Sequence, residues 1–144
     1  MTISEAKRRV QYAISGLDYE IENNIIPQAE DDIIEMQMNR LWEGVLVDGS
    51  SLPDYTPYTK RIKEQKGQPT DRMTLRDTGA FYNQIFAKVN NSEVIIDSRD
   101  EKSEELKDRY GEQIFGLTDE NKIDIKEITT GLLIDYVKNI TGFE

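Results

Sequence analysis

The sequence predicts an α+β fold: a broken N-terminal helix, a long basic loop, a β-hairpin contributing to a small antiparallel sheet, and C-terminal helices packed against it. Three observations lead there. Apolar residues recur at spacings of three and four near both ends of the chain, a short alternating apolar run lies between them, and the stretch before that run has no sustained period. The 144 residues are the length of one domain. Within it, residues 1–43 form a helical part, 44–78 a basic loop, and 79–144 a hairpin with C-terminal helices.

At the N-terminus, Thr2 or Ser4 can cap a helix on which Ile3, Ala6, Val10, Ile14, Leu17 and Ile21 form one apolar stripe about five turns long. Asn23-Asn24 loosens it, and Pro27 lacks an amide donor and clashes with the preceding turn, so a break or kink is expected near Ile25 and Ile26. Helix resumes with Pro27 in a first turn and Glu30, Asp31 and Asp32 near the positive end of the macrodipole. Ala29, Ile33, Met36 or Gln37, Arg40 and Leu41 carry the period on, Ile34 and Met38 widen it, and Gly44 ends it. Residues 45–78 are punctuated by Asp48-Gly49, Leu52-Pro53 and Lys66-Gly67 and read mostly as loop. Inside it Thr56-Pro57 starts a short basic helix to about Gln65. So long an irregular stretch is expected to be ordered by neighbouring molecules or to stay disordered until assembly.

Asp77 or Thr78 caps a brief turn through Phe81, Tyr82 and Ile85. Ile85, Ala87 and Val89 then alternate with Phe86 and Lys88, and Val94-Ile95-Ile96 follows Asn90-Asn91, whose residues tolerate positive φ: a β-hairpin. Ser98 or Asp100 starts a charged helix through Leu106 to Tyr110, stopped by Gly111, and residues 114–117 are extended. Thr118 caps a last helix with Ile125, Ile128, Leu132, Tyr136 and Ile140 on one face, and its interior Gly131, costing about 1 kcal/mol against Ala, points to a close helix contact.

Composition narrows function. The chain has no Cys and no His, which removes disulfides, thiolate nucleophiles, Cys/His zinc sites and imidazole acid–base chemistry. No apolar run approaches the ~18–20 residues of a membrane span, and Met1 to Val10 is charged where a signal peptide is apolar, so the chain is expected to remain in the compartment where it is made. Net charge is −10, which opposes general binding to nucleic acid or anionic lipid. Against that background Lys60, Arg61, Lys63, Lys66, Arg72 and Arg76 cluster with only Glu64 and Asp71 among them. The cluster is either a solvated surface or a contact for an acidic partner, and Tyr55 and Tyr58 beside it suit an interface as well as a small satellite core. Thr78 and Gly79 form a structural turn in which a side-chain oxygen caps and glycine takes a conformation other residues resist.

One pattern imitates catalysis. Pro53-Asp54 followed by Glu64-Gln65-Lys66 has the order of metal-dependent nucleases, but such sites converge from sheet strands, and here the residues fall on loop and helix with Glu64 and Lys66 facing different ways. No catalytic residue, cofactor or metal is expected.

The middle of the chain carries a resemblance. Gly44, Asp48-Gly49 with Ser51 and Leu52, Tyr58-Thr59 with Lys60, Lys63, Lys66-Gly67, then Leu75 with Thr78-Gly79 and Ile85 resemble the phage virion-morphogenesis, or tail-completion, family. Tyr110-Gly111 and Phe115-Gly116-Leu117-Thr118 continue the similarity, which spans roughly residues 40–140. The resemblance implies a virion structural protein of the head–tail junction or tail end, assembled in the host bacterial cytoplasm. The ring it implies is a homo-oligomer, hexameric or dodecameric, flanked by neck or tail proteins, and the implied role involves no chemistry, no membrane and no reading of a nucleic-acid sequence. The alternative from another class is a small acidic binding module or inhibitor that mimics nucleic acid.

Overall fold

The computed structural model describes residues 1–90 and 93–143, so Asn91 of the expected hairpin turn lies outside the described residues. The chain is α+β, as the sequence predicts. Helices α1 (Ile3–Ser15) and α2 (Leu17–Glu20), a π turn (Ile21–Ile25) and α3 (Ile26–Trp42) follow one another; α4 (Pro57–Gln65), α5 (Ala80–Asn83), strands β1 (Ile85–Asn90) and β2 (Glu93–Ser98), α6 (Ser103–Tyr110), a 3-10 turn (Glu112–Ile114) and α7 (Asp119–Thr141) complete the order.

Thr2 starts α1 with a capping box, its hydroxyl accepting from the Glu5 amide at 3.1 Å while the Glu5 carboxylate accepts from the Thr2 amide at 2.8 Å. The stripe expected to run as one helix to Ile21 is interrupted at Gly16. The cause is α7: a Cβ on Gly16 would lie 2.7 Å from the Tyr136 hydroxyl, which donates to the Ala13 carbonyl at 2.8 Å. Gly16 is therefore the close helix contact. Gly131, expected to mark one, has no atom within 4 Å of where its Cβ would stand. The break expected near Ile25 takes the form of the π turn, in which the Ile26 amide reaches the Ile21 carbonyl. Widening the helix by one residue gives the Pro27 ring room against the turn before it, so helix continues through the proline.

α7 runs antiparallel to this helical rod, with the Arg9 guanidinium donating to the Thr141 carbonyl at 2.9 Å near one end. Its inner face is the expected one, Ile125, Leu132, Tyr136 and Ile140 being half-buried, although Ile128 is exposed. The main core gathers at the other end of α3, where Leu41, Leu52, Met73, Phe81, Tyr82, Ile85 and Ile114 are buried together. β1 and β2 pair antiparallel with Ile85 opposite Ser98 and Val89 opposite Val94. Ile85 and Ala87 face the core, whereas Val94 and Ile95 are exposed. α6 starts later than expected because Asp100 closes a turn first, accepting from the Lys102 amide at 2.9 Å and, through its carbonyl, from the Ser103 amide at 3.0 Å. Where the sequence reads extended chain from Ile114, a 3-10 turn comes first and extension begins at Phe115.

A polar clamp joins the layers. Gln37 is wholly buried on α3; its amide donates to the Gly116 carbonyl at 2.8 Å, and its carbonyl accepts from the Gly116 amide at 3.2 Å. Arg40, one turn on, donates to the Gln37 side chain at 2.7 Å, to the Ile114 carbonyl at 2.9 Å and to the Val45 carbonyl at 2.9 Å. Burial pushes the Arg40 guanidinium below its usual range. Leucine at position 37 would fill similar space and orphan the Gly116 peptide, so Gln37→Leu should cost about 1–3 kcal/mol in urea unfolding. An unchanged midpoint and slope would show that the clamp is not a stabilising contact.

Candidate interface: the basic loop and its cleft

The stretch from Gly44 to Gly79 is irregular but tied to its own chain, not left for neighbouring molecules to order. Gly44, at φ +72°, ends α3, and a Cβ there would stand 2.9 Å from the Met73 carbonyl. A tight turn follows, in which the Leu46 amide donates to the Ser50 carbonyl at 2.7 Å and the Asp48 carboxylate accepts from the Ser50 amide at 2.9 Å. The Val47 amide reaches the Gln113 carbonyl at 3.0 Å, fastening this turn to the segment before α7. Thr56 caps α4 as expected, accepting from the Thr59 amide at 3.2 Å with Pro57 in the first turn. The return path is held by Tyr55, whose hydroxyl accepts from the Thr74 amide at 3.0 Å, and by Tyr82, whose hydroxyl donates to the Thr74 carbonyl.

These contacts divide the six-cation cluster. Lys63 donates to the Arg76 carbonyl at 2.9 Å and sits 5.2 Å from the centre of the Tyr55 ring. Lys66 pairs with Asp77 at 2.8 Å, and hydrogen bonds from Lys66 and Gln68 hold the Asp77 carboxyl below the usual carboxylate range. Arg72 donates to the Trp42 carbonyl at 2.7 Å and pairs with Asp71 at 2.8 Å, its guanidinium 5.2 Å from the Trp42 ring centre. Arg76 lies over the same tryptophan at 5.8 Å and over Tyr82 at 5.9 Å. Lys60 and Arg61 alone of the six make no side-chain hydrogen bond, ion pair or ring contact among the described residues, and Tyr58 beside them is 67% exposed. Four cations thus serve the fold and two face outward with a tyrosine. Thr78 accepts from the Ala80 amide at 3.3 Å, and Gly79 stands at φ +91° to start α5.

Where the loop, α5 and α6 meet there is a cleft of about 180 Å³, lined by Tyr55, Lys63, Leu75, Phe81, Lys102 and Tyr110. Its far wall, α6, is fastened to β2 by Asp97, which accepts from the Ser103 hydroxyl and pairs with Lys107 at 2.9 Å. Burial raises the Asp97 carboxyl, but hydrogen bonds from Ser103, Lys107 and the Ser98 amide outweigh it and leave Asp97 below the usual range. The Lys107 ammonium, bonded to Glu104 and Asp97, is raised above its own. Sequence reasoning placed none of Trp42, Asp97 or Lys107 at this site. The signal was weak in each case: an indole at a helix end, an aspartate that reads as a helix-start charge and a lysine inside a charged helix.

Comparison with protein-family models, with curated proteins and with solved structures found no match for this chain.

The geometry makes two predictions. At φ +91° a β-branched residue is strained although no atom comes closer than 3.5 Å to the Cβ position, so Gly79→Val should lower stability by about 1–3 kcal/mol through backbone strain alone. A variant melting with wild type would refute the turn geometry. Because the folded Asp97 carboxyl lies below its unfolded value, its contribution is full above the ordinary carboxylate range and is lost as pH falls through the folded value. Wild type should therefore lose stability as pH falls below about 4 more steeply than Asp97→Asn. Parallel profiles for the two proteins would remove Asp97 from the acid response.

Proposed function

We propose that this chain is a bacteriophage virion structural protein of the head–tail junction or tail end, a tail-completion or terminator-like subunit that works by closing into a ring. The observation that carries the self-assembly is a pair of complementary surfaces built from different elements of one chain. α4 presents Lys60, Arg61 and the exposed Tyr58 outward. At the junction of α3 and α7, Glu43, Glu120 and Asp124 line a cleft of about 390 Å³ together with Asn39, Asn121 and Arg40, whose guanidinium is engaged by the Val45 and Ile114 carbonyls, so three carboxylates face one cation. A cationic helix of one copy meeting the acidic cleft of the next is a head-to-tail contact, and head-to-tail contacts that close make rings. In a chain of net charge −10 such local complementarity also steers encounter and sets register. The open edges of the two-stranded sheet offer neighbouring neck or tail proteins a further place to pair. The virion reading rests on the resemblance of the loop and of the Phe115-Gly116-Leu117-Thr118 segment to the phage tail-completion family.

Each partly solvated ion pair contributes about 0.2–1 kcal/mol, so no single cation decides assembly. Lys60→Glu together with Arg61→Glu should lower incorporation into purified particles, more at low salt than at high salt, because screening weakens the lost attraction and the new repulsion alike. Incorporation at the wild-type level in both salts would overturn the α4 contact. Absence of the wild-type protein from particles, with tight binding to a basic protein instead, would favour the nucleic-acid mimic.

A further inference from the structure

We infer that α1 is a dimerisation helix, and that its occupant is α1 of a second copy of this chain, packed antiparallel with Val10 of each copy against Ile14 of the other. This rests on α1 and α7 and not on the ring reading, which uses α4.

α1 carries a long apolar stripe yet buries only Ala13, against α7. The residues the stripe should hide are open: Ile3 is 90% exposed, Ile14 64% and Val10 39%. Beside them an almost wholly apolar groove of about 180 Å³ runs between the two helices, lined by Val10, Ala13, Ile14, Leu17, Tyr136 and Val137. A helix with an apolar face must bury it against another element, and two helices alone leave each an open side.

The order of residues along the open edge of the stripe says what covers it. Ile3, Lys7, Val10 and Ile14 of α1 are followed, beyond the turn at Gly16, by Asp18 of α2 and Ile21 at the start of the π turn, at sequence spacings of four, three, four, four and three, Lys7 and Asp18 flanking the apolar residues. Reversed, the series reads isoleucine, acid, isoleucine, valine, base, isoleucine. Laid antiparallel on itself with Val10 opposite Ile14, it brings Ile3 to Ile21 and Lys7 to Asp18 of the second copy, each contact occurring twice about one two-fold axis. Lys7 and Asp18 are both exposed and make no ion pair among the described residues. This is the self-complementarity that an isologous contact demands. The opposite charges within the stripe also separate it from a membrane-surface helix, which keeps cations at the flanks of an unbroken apolar face.

The test is the mass of the purified full chain by sedimentation velocity across a concentration series. Wild type should pass from monomer to dimer, and Ile14→Glu, at an exposed position, should stay monomeric with an unchanged circular-dichroism melt at low concentration. Lys7→Glu and Asp18→Lys should each weaken the dimer by about tenfold, and combining them, which restores opposite charges across the two-fold, should return it to within about threefold of wild type. Lys60→Glu with Arg61→Glu should leave the dimer intact, so failure of the ring contact and failure of this one are read separately. A wild type that stays monomeric, an Ile14→Glu protein that still dimerises, or a double charge swap that does not recover would each overturn the proposal.

Discussion

Gln37 occupies a fully buried position on α3 and uses both ends of its side-chain amide on a single peptide, that of Gly116, while Arg40 one turn further on bonds the carbonyls of Val45 and Ile114. Segments that would otherwise bury unsatisfied backbone, the exit from α3 and the approach to α7, are thereby fixed to the same helix. Ile114, whose carbonyl Arg40 engages, is itself a fully buried member of the core cluster, so the clamp and the core share that segment. An apolar core of similar size would hold these layers less specifically. Hydrophobic contact is non-directional, whereas a buried amide accepts one register.

The same logic governs the basic loop. Four of its six cations are used internally, three of them against the faces of Trp42, Tyr55 and Tyr82. A guanidinium over an aromatic ring keeps its charge and stays partly hydrated, so the loop gains attachment points without the desolvation cost of a buried ion pair. Leu75, the one non-glycine among the described residues at positive φ, sits within this return path at +54°. Strain at that residue is sustained because Thr74 is held from both sides by Tyr55 and Tyr82. The rigid loop then presents α4 as a fixed surface, which lowers the entropy cost of any contact made through Lys60 and Arg61.

Features set by near neighbours were legible in the sequence. Thr2, Thr56 and Thr118 each cap the helix they precede, Gly44 and Gly111 each end one, and the apolar alternation of 85–89 forms β1. Features set by distant residues were not. Gly16 and Gly131 are both glycines inside helical pattern, and only the antiparallel position of Tyr136 makes the first a contact and leaves the second in open space. Gln37 fitted the helical stripe as one of two choices, but its partner lies 79 residues away, and no local rule connects them. The basic cluster was visible as composition. Its division into inward and outward cations depends on where Trp42 and Asp77 arrive, which is tertiary information.

α1 and the C-terminal half of α7 depart from the economy of the rest of the fold. They extend from the core as a layer two helices thick, and α7 buries only Thr141 fully along its whole length. A head that is densely cross-tied and an arm that is apolar and open suit different contacts. Fixed charges on the head favour a head-to-tail neighbour, while a palindromic stripe on the arm favours a two-fold. The proposed contacts constrain one another: a ring closed by α4 admits two-folds through α1 only perpendicular to its axis, giving dihedral symmetry with two rings face to face.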